Sequence, residues 1–294
     1  MASKQKILSV ICILSGALVW GLLWYPYRAL NNMGVGGELS TLLSYSIAMT
    51  LGLLFLGPIW RELRFAGWLS IALMASAGWT NLGYVMAMLD GEVMRVLLLF
   101  YLAPLWTVFF SYWLLGEKLN YYGYAVIALS LGGALVMLWN TQNDLPLPQN
   151  QAEWIALSAG FSFALMNVLV RRMQHLSINF KVAGVWFGTV LFTGLLVLDQ
   201  GNAIAQLQSI TPEAWRLLCL IGLVICAISF ALQFGLTYLP ANQAIVLLLS
   251  ELVFAAVSAY LLANEEMGLQ EIFGAVLIVS ASLLSGKCTP QNEQ

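Results

Sequence analysis

The chain has 294 residues, 61% of them hydrophobic and only 9% charged, with a net charge of −2. Soluble domains carry roughly 25% charged residues, so this composition could not cover a water-soluble surface, and the weak negative charge excludes an electrostatic nucleic-acid binder. An integral membrane protein embedded in a lipid bilayer is what remains.

A membrane span needs about 20 predominantly apolar residues. The N-terminal stretch MASKQKILSV starts like a signal peptide, but the apolar segment behind it ends in LLWYPYR without a small-residue cleavage site. It reads as a retained first span, residues 7–27. Gly16, Trp20, Trp24, Tyr27 and Arg28 fall on one face of it, with Pro26 near its far end as a candidate hinge. Trp24, Tyr25 and Tyr27 suit an interfacial belt with a snorkelling arginine. Trp20 lies deeper and is a candidate for lining a cavity.

The second span is expected over 39–59 and the third over 67–89. The third carries Trp79, Asn81 and Tyr84, and the last two share a face. Asn81 has two readings, a substrate contact or a bond to another helix. The fourth span, 93–115, holds Tyr101 and Pro104 on one face. Pro104 removes a helix hydrogen bond and predicts a kink, which at membrane depth suits a cavity wall or hinge. Arg95 reads as a snorkelling anchor or as a cation for a carboxylate. The fifth span is expected over 121–139.

Asn140 to Gln151, with Pro146 and Pro148, is the longest polar connection and divides the chain into residues 1–140 and 152–294, with 141–151 as linker. Asn150, Gln151 and Glu153 precede the sixth span, 152–171, where Phe163 and Asn167 lie four apart. Trp186 is mid-way along the seventh, 180–198. Thr211-Pro212-Glu213 supplies an N-cap, a first-turn proline and an early acid for the eighth, 213–236. Cys226, Ser229, Gln233 and Thr237 form a small-polar stripe there that suits close helix packing, and Gln233 is the member long enough to reach a ligand. Leu239-Pro240-Ala241-Asn242 breaks the chain before the ninth span, 243–263, and a tenth follows over 271–286.

The ninth span contains LLLSELVFAAVSAYLL, with Glu251 as its one carboxylate. A charge at a helix centre costs about 2.5–3.5 kcal/mol on insertion scales, so a neutral or paired form is expected. Three readings stand side by side: a proton-coupling site, a contact for a substrate amino group, and a structural acid bonded to a neighbouring hydroxyl or to backbone.

Other conspicuous residues have plainer roles. Tyr121, Tyr122, Tyr124, Trp60, Trp68, Trp139 and Trp154 lie near span ends and read as interface anchors. Gly132-Gly133 reads as a packing feature. Cys12, Cys219, Cys226 and Cys288 match no zinc or redox spacing, and the single histidine, His175, reads as a loop residue. No HExxH, GxSxG, CxxC or nucleotide-binding loop occurs, so no enzyme, metal or cofactor is expected.

Orientation follows from the basic residues. With the N-terminus in the cytoplasm, nine of the twelve Lys and Arg fall in inside segments and three outside. Both termini are therefore expected to be cytoplasmic. The halves also match one another. GEVMRVLLLFYLAPLWTVFFSYWLLGEK from Gly91 aligns without gaps with LPANQAIVLLLSELVFAAVSAYLLANEE from Leu239, placing Glu117 opposite Glu265, Tyr112 opposite Tyr260 and Ala103 opposite Glu251. Five spans per half give opposite insertion. The expected fold is all-α and integral to the membrane, with ten transmembrane helices in two five-helix inverted-topology repeats, a transporter signature.

The two stretches PLWTVFFSYWLLGE and SELVFAAVSAYLLANE, together with Trp20-Gly21, resemble the drug/metabolite transporter superfamily and its EamA-type carriers. GEVMRVLLLFYLAPLW is similar to the corresponding part of bacterial aromatic amino-acid exporters. Glu251-Leu252 stands where the family commonly has Glu-Pro, and Asn264-Glu265 where it has Gly-Glu. The resemblance implies a central cavity lined by the first four spans of each half, with the fifth and tenth peripheral or at a dimer contact. It implies export of small metabolites across the cytoplasmic (inner) membrane by alternating access, in a monomer or homodimer.

Mid-membrane aromatics with few fixed charges suit a flat, mostly apolar, zwitterionic solute, with aromatic or hydrophobic amino acids foremost. A multidrug or quaternary-cation exporter is the alternative, with cation–π contacts and one acid.

Overall fold

The computed structural model describes residues 2–53, 62–90, 93–138, 148–199, 203–263 and 268–287. Every regular element among them is helical. That is the expected solution for an apolar chain in lipid, where each backbone group must be satisfied within its own segment.

In the part of the chain before the linker, α1 spans Ala2–Asn32, α2 Gly37–Gly52 and α3 Leu63–Asp90. α3 turns at Gly67, where φ is 54° and a side chain would be strained. α4 (Val93–Phe100) and α5 (Ala103–Phe110) follow, then a π-helical turn over Ser111–Leu115, and α6 (Tyr121–Leu138). After the linker come α7 (Gln151–Arg172), α8 (Ile178–Asp199), the short α9 (Ala203–Ser209), α10 (Pro212–Tyr238), α11 (Ala241–Leu248), α12 (Ser250–Ala263) and α13 (Leu269–Leu284). Five stretches are long and apolar enough to cross a membrane: Lys4–Asn32, Gln151–Arg172, Ile178–Asp199, Pro212–Tyr238 and Ala241–Leu262. Ala103–Leu115, Tyr121–Met137 and Ile272–Leu284 are shorter apolar helices.

The helix starts follow the local chemistry. Asn150 accepts from the Glu153 N–H at 2.9 Å, while the Glu153 carboxylate accepts from the Gln149 N–H at 2.8 Å, a reciprocal capping box for α7. Thr211 caps α10 through the Ala214 N–H, with Pro212 in the first turn.

Two segments expected as single helices are each two. The fourth breaks at Tyr101-Leu102 and the ninth at Leu249. Pro104 accounts for the first break, because it sits at the start of α5, where its missing N–H costs nothing. The second break occurs without a proline. With Gly91 set opposite Leu239, α4 and α11 share the same limits: Val93 faces Ala241 and Phe100 faces Leu248. α9 was not anticipated from the sequence. The expected end of the second span, together with Trp60, Trp139, Asn264, Glu265, Cys288, most of the linker and the side chain of Arg95, lies outside the described residues.

α3 packs between α7 and α8, α1 against α10 and α12, and α6 against α13. The α3–α8 approach needs glycine: a Cβ on Gly188 would come within 2.1 Å of the Met74 carbonyl oxygen, and one on Gly78 within 2.5 Å of the Gly188 carbonyl oxygen. α6 and α13 meet in the same way through Gly133 and Gly274, each set against the other's carbonyl. The fifth and tenth expected spans thus pack on one another within one chain.

Candidate functional site

The two helix breaks meet around a group of aromatic rings and a carboxylate. Phe100 is the last residue of α4, and Tyr101 begins the break. The Phe100 ring lies 5.0 Å from that of Tyr84 on α3, 5.4 Å from that of Tyr101 and 5.3 Å from that of Phe163 on α7. α7 comes this close because Gly160 lies against the Phe100 backbone; a Cβ there would be 2.3 Å from the Phe100 carbonyl oxygen.

Glu251 stands in the first turn of α12, directly after the second break. Leu249 keeps right-handed helical dihedrals, its N–H bonds the Ile245 carbonyl and the Leu252 N–H bonds the Leu249 carbonyl, so the chain passes through one tightened step here. The Tyr101 hydroxyl donates a hydrogen bond to the Glu251 carboxylate, and Tyr84 is within electrostatic reach of it. Four of the expected site residues, Tyr84, Tyr101, Phe163 and Glu251, are brought together here. The fifth member, Phe100, was not singled out in the sequence. Its signal was its place beside Tyr101 in a span with a mid-membrane proline.

The other expected site residues lie elsewhere. Asn81 joins three helices: its Oδ1 accepts from the Tyr45 hydroxyl at 3.0 Å, and its Nδ2 donates to Thr189 Oγ1 at 2.9 Å and to the Ala77 carbonyl at 3.0 Å. Trp79 donates its indole N–H to Ser158 at 3.0 Å. Trp186 is fully buried, packs over Gly52, and donates to Ser229 at 2.9 Å. Trp20 is partly buried at the margin of the core that includes Leu23 and Tyr45. α1 runs on through Pro26. Beyond it, the Arg28 guanidinium sits 4.7 Å from the Trp24 ring centroid, and Trp24 donates to Ser258 on α12 at 2.8 Å.

Asn167 and Gln233 are buried, at 2% and 4% exposure, and poorly satisfied. Neither polar atom of the Asn167 amide has a partner, nor does Gln233 Oε1. Such an orphan costs about 1–3 kcal/mol, which marks a position held for something other than packing. Asn167 lies one turn beyond Phe163 on α7, so it continues the face that carries the aromatic group.

A second polar group follows one more turn along. Gly116, with φ 71°, ends the π turn and lets Glu117 swing away from the helix axis. Its Oε2 accepts from the Ala241 N–H at the start of α11, 2.9 Å away, and its Oε1 pairs with Arg171 Nε at 3.2 Å. Arg171 also donates to the Thr237 carbonyl at 2.8 Å. The fully buried Lys181 donates to the Thr237 hydroxyl at 2.5 Å. Glu62 accepts from the Ser177 N–H, where α8 begins, at 2.7 Å. The Leu114-Leu115-Gly116-Glu117 stretch, aligned with Glu265 of the other half, is the sequence signal for Glu117. Arg171 and Lys181 count in the sequence only toward the basic-residue asymmetry.

Five stretches long and apolar enough to cross a membrane, with a carboxylate beside a ring cluster at two helix breaks, describe an integral membrane protein. The EamA-like transporter family model matches residues 7–139 and again 151–286. The chain belongs to that family, whose members are membrane transporters of small molecules, and it carries the family unit twice. Among curated proteins the sequence has no match. Solved structures do match. One, described only as the crystal structure of a protein, aligns with a TM-score of 0.73 at 18% identity over 94% of this chain and 96% of that one. This likeness shows a shared fold.

Proposed function

We propose that the chain is a secondary transporter that exports small amphipathic metabolites, foremost aromatic or hydrophobic amino acids, across the cytoplasmic membrane. The observation that carries this reading is the grouping of Glu251 with Tyr84 and Tyr101, whose rings pack with Phe100 and Phe163, beside the two helix breaks. The carboxylate suits a substrate ammonium group, and the rings suit a flat apolar body. Trp20, Trp79, Asn81, Asn167, Trp186 and Gln233 are the wider set of proposed contacts, and Pro26 and Pro104 the proposed bending points.

In this reading ten spans form two inverted five-helix repeats, residues 1–140 and 152–294, which rock about the central site. The excess of Lys and Arg at the end carrying Glu62, Glu117 and Arg171 supports a cytoplasmic location for that end and for both termini. Proton coupling through Glu251 fits its position, in a monomer or a homodimer.

The same rings and acid also suit a lipophilic or quaternary cation, so a multidrug exporter is the second reading. Counterflow in proteoliposomes loaded with phenylalanine, tyrosine, threonine or a lipophilic cation separates the two. The proposal expects exchange of at least one aromatic amino acid. Exchange of the cation alone would replace it with the second reading, and exchange of none of them would end both.

A further inference from the structure

The contacts at the charged end share a pattern that packing alone does not require. Glu62 and Glu117 both precede the linker, and each is seated on the first N–H groups of a helix that follows it: Glu62 on Ser177 at α8, Glu117 on Ala241 at α11. Each contact thus joins the two halves through a carboxylate on a helix N-terminus, a favourable charge–dipole pairing. Arg171 ties Glu117 to Thr237, and Lys181 reaches the same threonine from α8. A third cross-half contact, Asn242 Nδ2 to Ser111 Oγ at 2.8 Å, lies beside them.

Directly behind this layer are the unsatisfied amides. Asn167 is one helical turn from Arg171, and Gln233 one turn from Thr237. Since Arg171 bonds Thr237, and α7 and α10 run in the same direction in the proposed topology, the two amides sit at a similar depth. Buried amide atoms without partners disfavour the arrangement seen here, while the carboxylate contacts favour it. Opposing terms of this kind leave two arrangements close in free energy.

We propose that Glu62 and Glu117 form a two-point latch that closes the charged end of the transport route, and that Asn167 and Gln233 line the part of the route the latch covers. Release of both carboxylates from α8 and α11 lets the halves part and gives the amides water or substrate to bond. Glu117 is held from two sides, by Ala241 and by Arg171. Glu62 borders a surface cleft of about 400 Å³ shared with His175, Leu176 and Ser177, so it is the point that solvent reaches first. The inference rests on the transporter reading, but its test needs neither a known substrate nor a known orientation.

The full chain, with Cys12, Cys219, Cys226 and Cys288 replaced by serine, carries one reporter, Asn167→Cys or Gln233→Cys. In detergent, a polar maleimide reaches both ends of the protein. Labelling is slow with both acids present. In the combined Glu62→Ala, Glu117→Ala variant it rises about tenfold or more at both reporters, as the open population grows. A control reporter, Ala134→Cys in the buried α6–α13 contact, stays protected. Unchanged labelling at 167 and 233 overturns the latch. So does an equal rise at 134, which would mean general loosening. A second variant keeps both acids and adds a disulfide at Ser111→Cys, Asn242→Cys. It lowers the reporter rates below those of the unlinked protein, and undiminished labelling there also overturns the proposal.

Discussion

The hydroxyl of Tyr101, at the break in one half of the chain, hydrogen-bonds the carboxylate of Glu251, just past the equivalent break in the other. The alignment places Ala103 opposite Glu251, so the backbone break is shared by the halves and the acid is not. One half supplies the carboxylate and the other supplies the hydroxyl and most of the rings. The site is asymmetric although the helix limits around it are matched.

That asymmetry makes Glu251 the residue to neutralise first. Glu251→Gln keeps the shape and a hydrogen bond to Tyr101 but removes the charge. Uptake driven by an imposed pH gradient in proteoliposomes falls about tenfold, a loss of about 1.4 kcal/mol of driving interaction, while exchange without a gradient persists. If gradient-driven uptake kept its wild-type rate, Glu251 would be a structural acid. Tyr101→Phe removes the hydroxyl alone and gives a smaller effect in the same direction.

Two asparagines, the half-buried Asn81 and the buried Asn167, should respond to substitution in opposite ways. Asn81 has its carbonyl and amide engaged by Tyr45, Thr189 and Ala77. Asn81→Leu leaves the Tyr45 and Thr189 hydroxyls without their partner and costs about 1–3 kcal/mol for each buried group, visible as a lower thermal midpoint in detergent. The Asn167 amide has no partner to lose. Asn167→Leu leaves the midpoint level or raises it, yet slows exchange if the residue faces the route. A stability loss as large as that of Asn81→Leu would show Asn167 to be part of the scaffold.

The contrast also marks what the sequence made legible. Apolar length located the helices to within a few residues, because lipid leaves the backbone no alternative. The break at Tyr101-Leu102 was foreshadowed by Pro104. The break at Leu249 was not, since no residue there carries a breaking signal and only the match to the first half points to it. Single-helix faces group Tyr84 with Asn81, and Phe163 with Asn167. They do not say which member of each pair joins the rings around Phe100, because that depends on helix rotation fixed by contacts such as Gly160 on Phe100. Lys181 and Arg171 enter only the basic-residue count, because charge counting sees only which side of the membrane a residue falls on. Their partners, Thr237 and Glu117, come from distant parts of the chain.

The closeness of α7 to α4 is itself open to test. A Cβ on Gly160 would meet the Phe100 carbonyl oxygen at 2.3 Å, a backbone atom that cannot rotate aside. Gly160→Ala therefore pushes α4 and the Phe100 ring off α7 and costs about 1–3 kcal/mol as an overpacked contact. It also separates the rings around Glu251, so substrate affinity falls along with the thermal midpoint. Gly132 is the matched control, a helical glycine with no atom within 4 Å of the added carbon. Gly132→Ala gains up to about 1 kcal/mol from helix propensity and leaves affinity unchanged. If the two variants melted alike, the Gly160 contact would not be what sets the spacing of the rings.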